Sequence, residues 1–170
     1  MTAKCAAFPL GPLGRAAARL YRHLTSRRVQ GIYGVLDHDT VLEVKDSKSK
    51  VAIVDRQEEV RFLQDNAVAF ADYAWGDGQI FADYRCSPGV PVDRYTYGSR
   101  HMVLISLRET RNRGVVLRFP IHRRVLRGLT REDGWWETEI YHKTRRLRIA
   151  VVFPRNRHCQ QAVDDLRSIG

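Results

Sequence analysis

The chain has 170 residues, 29 basic against 19 acidic, and a sequence pI near 10. That length suits one domain with a sizeable core, and no stretch approaches the roughly 18 apolar residues of a membrane helix, so a soluble protein is expected. Lysine occurs only at Lys4, Lys45, Lys48, Lys50 and Lys143, so arginine supplies 24 of the basic residues. Its planar fork suits phosphate, carboxylate and aromatic faces, which points to nucleic acid or an acidic partner unless codon bias alone supplies the arginines.

Cys5, Cys86 and Cys159 lie far apart without a Cys-x-x-Cys pair, as expected of reduced thiols in a cytoplasmic protein. No acidic residue precedes Asp37, a composition shared with transit peptides, but Pro9, Gly11, Pro12 and Gly14 interrupt the apolar run that a secretory signal needs.

From Pro12 onward, Leu13, Ala16, Ala17, Leu20, Tyr21 and Leu24 recur at three and four. This spacing predicts an amphipathic helix over 12–26, with Pro12 in its first turn and Arg27 and Arg28 at its carboxyl end. Its apolar face is expected to pack on the rest of the domain. From Ile32 the period changes to two, which predicts an antiparallel β-sandwich over 32–153.

Val41 to Val44 and Lys50 to Val54 flank the turn at Asp46–Ser49, and Val60 to Leu63 and Ala67 to Tyr73 flank a predicted hairpin turn at Gln64–Asn66. Trp75-Gly76-Asp77-Gly78 is a tight reversal before Gln79 to Arg85, and the proline-rich loop Ser87 to Pro91 is placed as a crossing between sheets. His101 to Leu107 and Val115 to Ile121 frame a longer charged hairpin loop, with Leu117, Phe119 and Ile121 facing the core. Trp136 to Tyr141 and Arg146 to Phe153 form a last predicted hairpin, its Leu147, Ile149, Val151 and Phe153 turned inward and Arg146 and Arg148 outward. A short helix closes the chain after Pro154, so the domain comprises a helical segment 1–31, a β core 32–153 and a helix within 154–170.

Three constellations could carry chemistry. Asp72, Trp75, Asp77, Asp83 and Asp93 form an acidic group that could bind a cation or supply an acid and a base, although Gly-Asp-Gly is first of all turn chemistry. His101, His122 and His142 could converge on one rim as a metal or proton-transfer site, but they show no metal-ligand spacing. A basic surface formed by Arg118, Arg123, Arg124, Lys143, Arg145, Arg146 and Arg148, with Trp135 as an outward aromatic, suits an anionic partner.

The favoured reading is therefore a non-enzymatic intracellular binding module with no cofactor, whose Arg-rich surface meets an anionic or acidic partner such as an acidic protein surface. The alternatives are a protein that binds single-stranded RNA or DNA and a metal-dependent or hydrolytic enzyme using the Asp and His groups.

Overall fold

Alternation places the side chains of each strand before any tertiary contact does. In Val51–Phe62 the even-numbered Ala52, Val54, Glu58, Val60 and Phe62 are buried, while Asp55, Gln57 and Arg61 are exposed. The computed structural model describes residues 32–98, 100–129, 140 and 142–156. Within them run eight strands: β1 (Tyr33–Val44), β2 (Val51–Phe62), β3 (Ala67–Ala74), β4 (Gln79–Cys86), β5 (Val90–Tyr97), β6 (Arg100–Arg111), β7 (Val116–Leu126) and β8 (Leu147–Val152).

They form a five-stranded sheet in the order β4-β7-β2-β1-β8 and a three-stranded sheet in the order β3-β6-β5. One apolar cluster joins Tyr33, Val60, Phe62 and Phe119 of the first sheet to Phe70, Val103 and Ile105 of the second. Phe70 stacks on Phe119 with ring centroids 4.4 Å apart, so aromatic contact ties the sheets together. The molecule is mainly β, as the sequence predicts. Residues 12–26, residues 158–169, Trp135 and nearly all of the predicted strand 136–141 lie outside the described residues.

The connections depart from the predicted hairpins. β1 and β2 do form one, and Asp46 organises its turn by accepting backbone N–H bonds from Lys48, Lys50 and Val51. The segment Gln64–Asn66, however, carries the chain from β2 in the large sheet to β3 in the small one, and Asn66 supplies the positive φ this change of direction needs. The charged loop between β6 and β7 likewise changes sheets instead of closing a hairpin. Ser87–Pro91 also crosses, as expected, but Val90 and Pro91 already belong to β5. Pro91 is tolerated because β5 is an edge strand.

The last strand brings two further corrections. β8 pairs with β1 in parallel, so the sandwich is not wholly antiparallel. A parallel pair cannot be closed by a tight turn, and here the partners His38 and Leu147 are joined through the whole intervening chain. Leu147, Ile149 and Val151 do share the strand face predicted for them, yet they are 41%, 42% and 41% exposed. Among the described residues three strands cannot cover five, and β8 lies at the edge of the larger sheet. No helix among the described residues is long and apolar enough to cross a membrane.

Candidate functional site

The alternation that buries apolar residues along β2 also carries Arg56 and Glu58 to the inner face, because they share phase with Val54 and Val60. β1 delivers His38 and Thr40 opposite them, paired as His38 with Glu58 and Thr40 with Arg56. β7 adds Arg123, in phase with the buried Phe119 and Ile121. The small sheet contributes Asp72, which is 1% exposed. These residues form a charged belt between the large apolar cluster on one side and Leu42, Ala52 and Val54 on the other.

Arg56 is the hub of the belt. Its Nη2 donates to Asp72 Oδ1 at 2.5 Å, and its Nε lies 3.2 Å from Glu58 Oε2 without hydrogen-bond alignment. Burial opposes the Arg56 charge, but the carboxylates of Asp72 and Glu58 outweigh it and hold its pKa above the usual range. Asp72 Oδ1 also accepts the Tyr73 backbone N–H at 2.7 Å, while Oδ2 completes no hydrogen bond. Burial raises the pKa of Glu58 despite Arg56. The Tyr84 hydroxyl is raised by burial and then by Asp72, and burial pushes the Cys86 thiol up to about 12. Both groups are therefore protonated and neutral at ordinary pH.

Arg123 has a different environment. It is buried without an ion pair among the described residues, its Nη1 meets no acceptor, and its guanidinium carbon lies 5.1 Å from the Phe81 ring centroid. Burial pushes its pKa down to about 10, Asp72 opposing the shift and Arg56 adding to it. The group stays cationic at neutral pH. Its assignment to an outer basic surface is thus corrected, since the phase of β7 turns it inward.

Phe81 also belongs to a cleft of about 330 Å³ where β4, at the edge of the large sheet, meets the β5–β6 hairpin. Gln79, Arg94, Tyr95, Thr96, His101 and Met102 share the lining. At the rim, Gly78 has φ of +76°, and a Cβ there would stand 2.2 Å from the Leu126 carbonyl oxygen. Only glycine lets β4 start so close to the end of β7. The side chains of Arg94 and His101 have no hydrogen bond or ion pair among the described residues.

The other arginines read as a basic surface stand on the outer face of the large sheet, and carboxylates face several of them. Arg146 makes a bidentate pair with Asp37, Arg148 Nη1 donates to Asp39 at 3.0 Å, and Arg118 Nη2 donates to Glu59 at 3.3 Å. The β1–β8 and β2–β7 registers set basic strands beside acidic ones, so the outer face is a charge ladder. Arg124, Lys143 and Arg145 are exposed and have no ion pair among the described residues.

The three histidines do not converge. His101 lines the cleft, His122 Nδ1 lies 2.6 Å from Asp55 Oδ1 on the outer face, and His142 is buried with its ring 4.1 Å from that of Tyr33. The acidic group also separates, for Asp72 joins the belt while Asp83 pairs with its neighbour Arg85. Among the described residues, no group of His, Cys, Asp and Glu side chains has the spacing to hold a metal ion.

Two features escaped the sequence reading. The belt was legible, because Arg56 and Glu58 interrupt an apolar alternation without breaking its phase. Arg94 carried no such signal, since of its strand only Val90 and Pro91 fall in a predicted element, the proline-rich loop, and residues 92–100 carry no prediction. Compared with known protein families and with curated proteins, the chain matches none.

Proposed function

We propose that the protein is a binding module that takes a small anionic molecule into the cleft between β4 and the β5–β6 hairpin. The observation that carries this reading is the Arg94 guanidinium, without a side-chain hydrogen bond or ion pair among the described residues, on the wall of a cleft of about 330 Å³. That volume lies within the range of small-molecule sites, and a guanidinium offers a carboxylate or phosphate two parallel donors. His101 and Thr96 add further donors on the same wall, and Gln79 adds one from the β4 side. The anionic partner moves from the outer sheet face to the cleft because Arg118, Arg146 and Arg148 already face carboxylates of the chain itself.

The test is a titration of the full chain with acetate, inorganic phosphate and benzoate, followed by NMR shifts and by the unfolding temperature. At least one anion should bind saturably and raise the unfolding temperature. Arg94→Gln should weaken it about tenfold or more, the scale of one charge-assisted hydrogen bond. Equal affinity in the variant, or no saturable binding of any of the three, would remove the reading.

A further inference from the structure

Resting on this reading of the cleft as an anion site, we infer that its occupant is an acidic peptide in extended form, which adds as a strand to the open edge of β5 with a carboxylate side chain opposite Arg94. Successive side chains of a strand point to opposite faces, so a cleft lined by the consecutive residues 79–82 and 94–96 runs along strand edges and not over a sheet face. Both strands are the last of their sheets among the described residues, β4 in the large one and β5 in the small one. The register of the β5–β6 hairpin fixes which groups of β5 face the open edge. Tyr97 pairs with Arg100 across two residues, the first of them Gly98 with a φ of +59°. The pair that closes such a turn exchanges backbone bonds, and so do the alternate pairs Tyr95–Met102 and Asp93–Leu104. The N–H and C=O groups of Arg94 and Thr96 therefore point away from β6. In agreement, the Arg94 N–H donates to the carboxylate of its neighbour, Asp93 Oδ1, at 2.9 Å.

A carboxylate or phosphate alone only accepts hydrogen bonds, and it leaves the outward C=O groups of Arg94 and Thr96 without a donor. An extended peptide supplies N–H and C=O in alternation, at the spacing of about 6.8 Å that two strand residues set. The residue paired with Arg94 in an added strand shares its face, so an acidic side chain there meets the guanidinium. A second acidic residue two positions along meets Thr96, whose own partner in the hairpin is His101. Pro91, which has no N–H, and the register shift between it and Asp93 confine the pairing to a short stretch. The peptide is thus held by its backbone along the edge and by its charge at Arg94.

The experiment titrates the full chain with the capped peptide Thr-Glu-Val-Glu-Thr, with Thr-Gln-Val-Gln-Thr and with acetate, followed by NMR shifts and hydrogen exchange of the Arg94 and Thr96 amides. The Glu peptide is expected to bind about tenfold more tightly than either acetate or the Gln peptide, and to slow exchange at Thr96. Arg94→Gln should remove the preference for Glu over Gln. Methylating the amide nitrogens of the two glutamates, or that of the valine, removes one alternating set of donors, and at least one of these peptides should lose about tenfold. Asp93→Ala, which takes away the carboxylate already on the edge, should tighten the Glu peptide. The methylated peptides act on the unaltered protein, so the proposal stays testable if a variant does not fold. Full affinity in both methylated peptides, or acetate binding as tightly as the Glu peptide, overturns strand addition while the cleft remains an anion site. Equal affinity for the Glu and Gln peptides overturns the acidic class. The same amide shifts on raising the protein concentration alone would make a second copy of the chain the occupant and overturn the peptide. No binding of acetate or of either peptide removes the cleft reading and this inference together.

Discussion

Two arginine–carboxylate pairs in this molecule share their chemistry and differ in their surroundings. Between the sheets, Arg56 meets Asp72 with side-chain exposures of 11% and 0%. On the outer face, Arg146 meets Asp37 with exposures of 75% and 19%. Around the inner pair the effective dielectric is low, so attraction is strong and each ion without its partner is costly. Around the outer pair, water and salt serve almost as well as the partner does. The contrast locates the charges that define the interior and those that mainly keep a sheet face soluble.

Removing one partner of the inner pair should give the largest effect. Asp72→Ala leaves Arg56 buried with only Glu58 nearby and should cost ~3–5 kcal/mol, measured by urea unfolding. A loss below ~1 kcal/mol would mean that water reaches the belt and that the contrast between the two regions is false. Replacing both partners by apolar residues, as Arg56→Met with Asp72→Leu, should recover much of the loss, because the unpaired ion is then absent.

Acid sharpens the comparison through two buried neutral rings, His38 in the belt and His142 against Tyr33. Burial pushes the pKa of His38 down to about 4, with the Arg56 cation adding to the shift, and burial alone does the same to His142. Above the ordinary histidine pKa of 6.5 neither ring is protonated in either state, so there is no penalty. As pH falls from there toward 4, the unfolded chain takes up protons first and stability declines, by ~1.4 kcal/mol for each unit of displacement in each ring. Glu58 works against this decline, because its raised pKa lets the folded state take up a proton before the unfolded one. The urea midpoint should therefore drop between pH 6.5 and pH 4, and His142→Phe should flatten the drop. An equally steep drop in that variant would place its origin elsewhere.

How much of this could be read from the chain depends on which interactions are local. The strand phases were legible: Phe119 and Ile121 are buried as alternation predicts, and Arg146 and Arg148 do point away from the Leu147 face. Arg123 obeys the same alternation, but its charge suggests solvent, and Arg56 and Glu58 obey it too in the stretch between the predicted strands that end at Val54 and begin at Val60. Asp72 was harder, because the register of β3 shifts between Ala67 and Ala69 and spoils the period ahead of it. What alternation does not encode is pairing. Nothing near Gln64–Asn66 distinguishes a hairpin turn from a passage between sheets, and the β1–β8 pair joins segments 109 residues apart. The cleft depends on that non-local information, since β4 reaches β5 only through the packing of two sheets.

The smallest effect should come from the outer ladder, and it tests the other half of the comparison. Arg146 and Arg148 project from β8 onto Asp37 and Asp39 of the parallel neighbour β1. Because these side chains stand largely in water, Arg146→Gln with Arg148→Gln should leave the urea midpoint unchanged within error. Affinity for anions at the cleft should also stay unchanged, since the cleft is built by β4, β5 and β6 and not by β8. Reversing both charges is more demanding, because Arg146→Glu with Arg148→Glu sets four carboxylates side by side across two strands. That variant should lose some stability at low salt and recover it as salt rises, because repulsion between exposed charges is screened. A loss that persists at high salt would show that the outer arginines hold β8 to β1 by close packing as well as by charge. The edge strand would then depend on its ladder much as the interior depends on its belt.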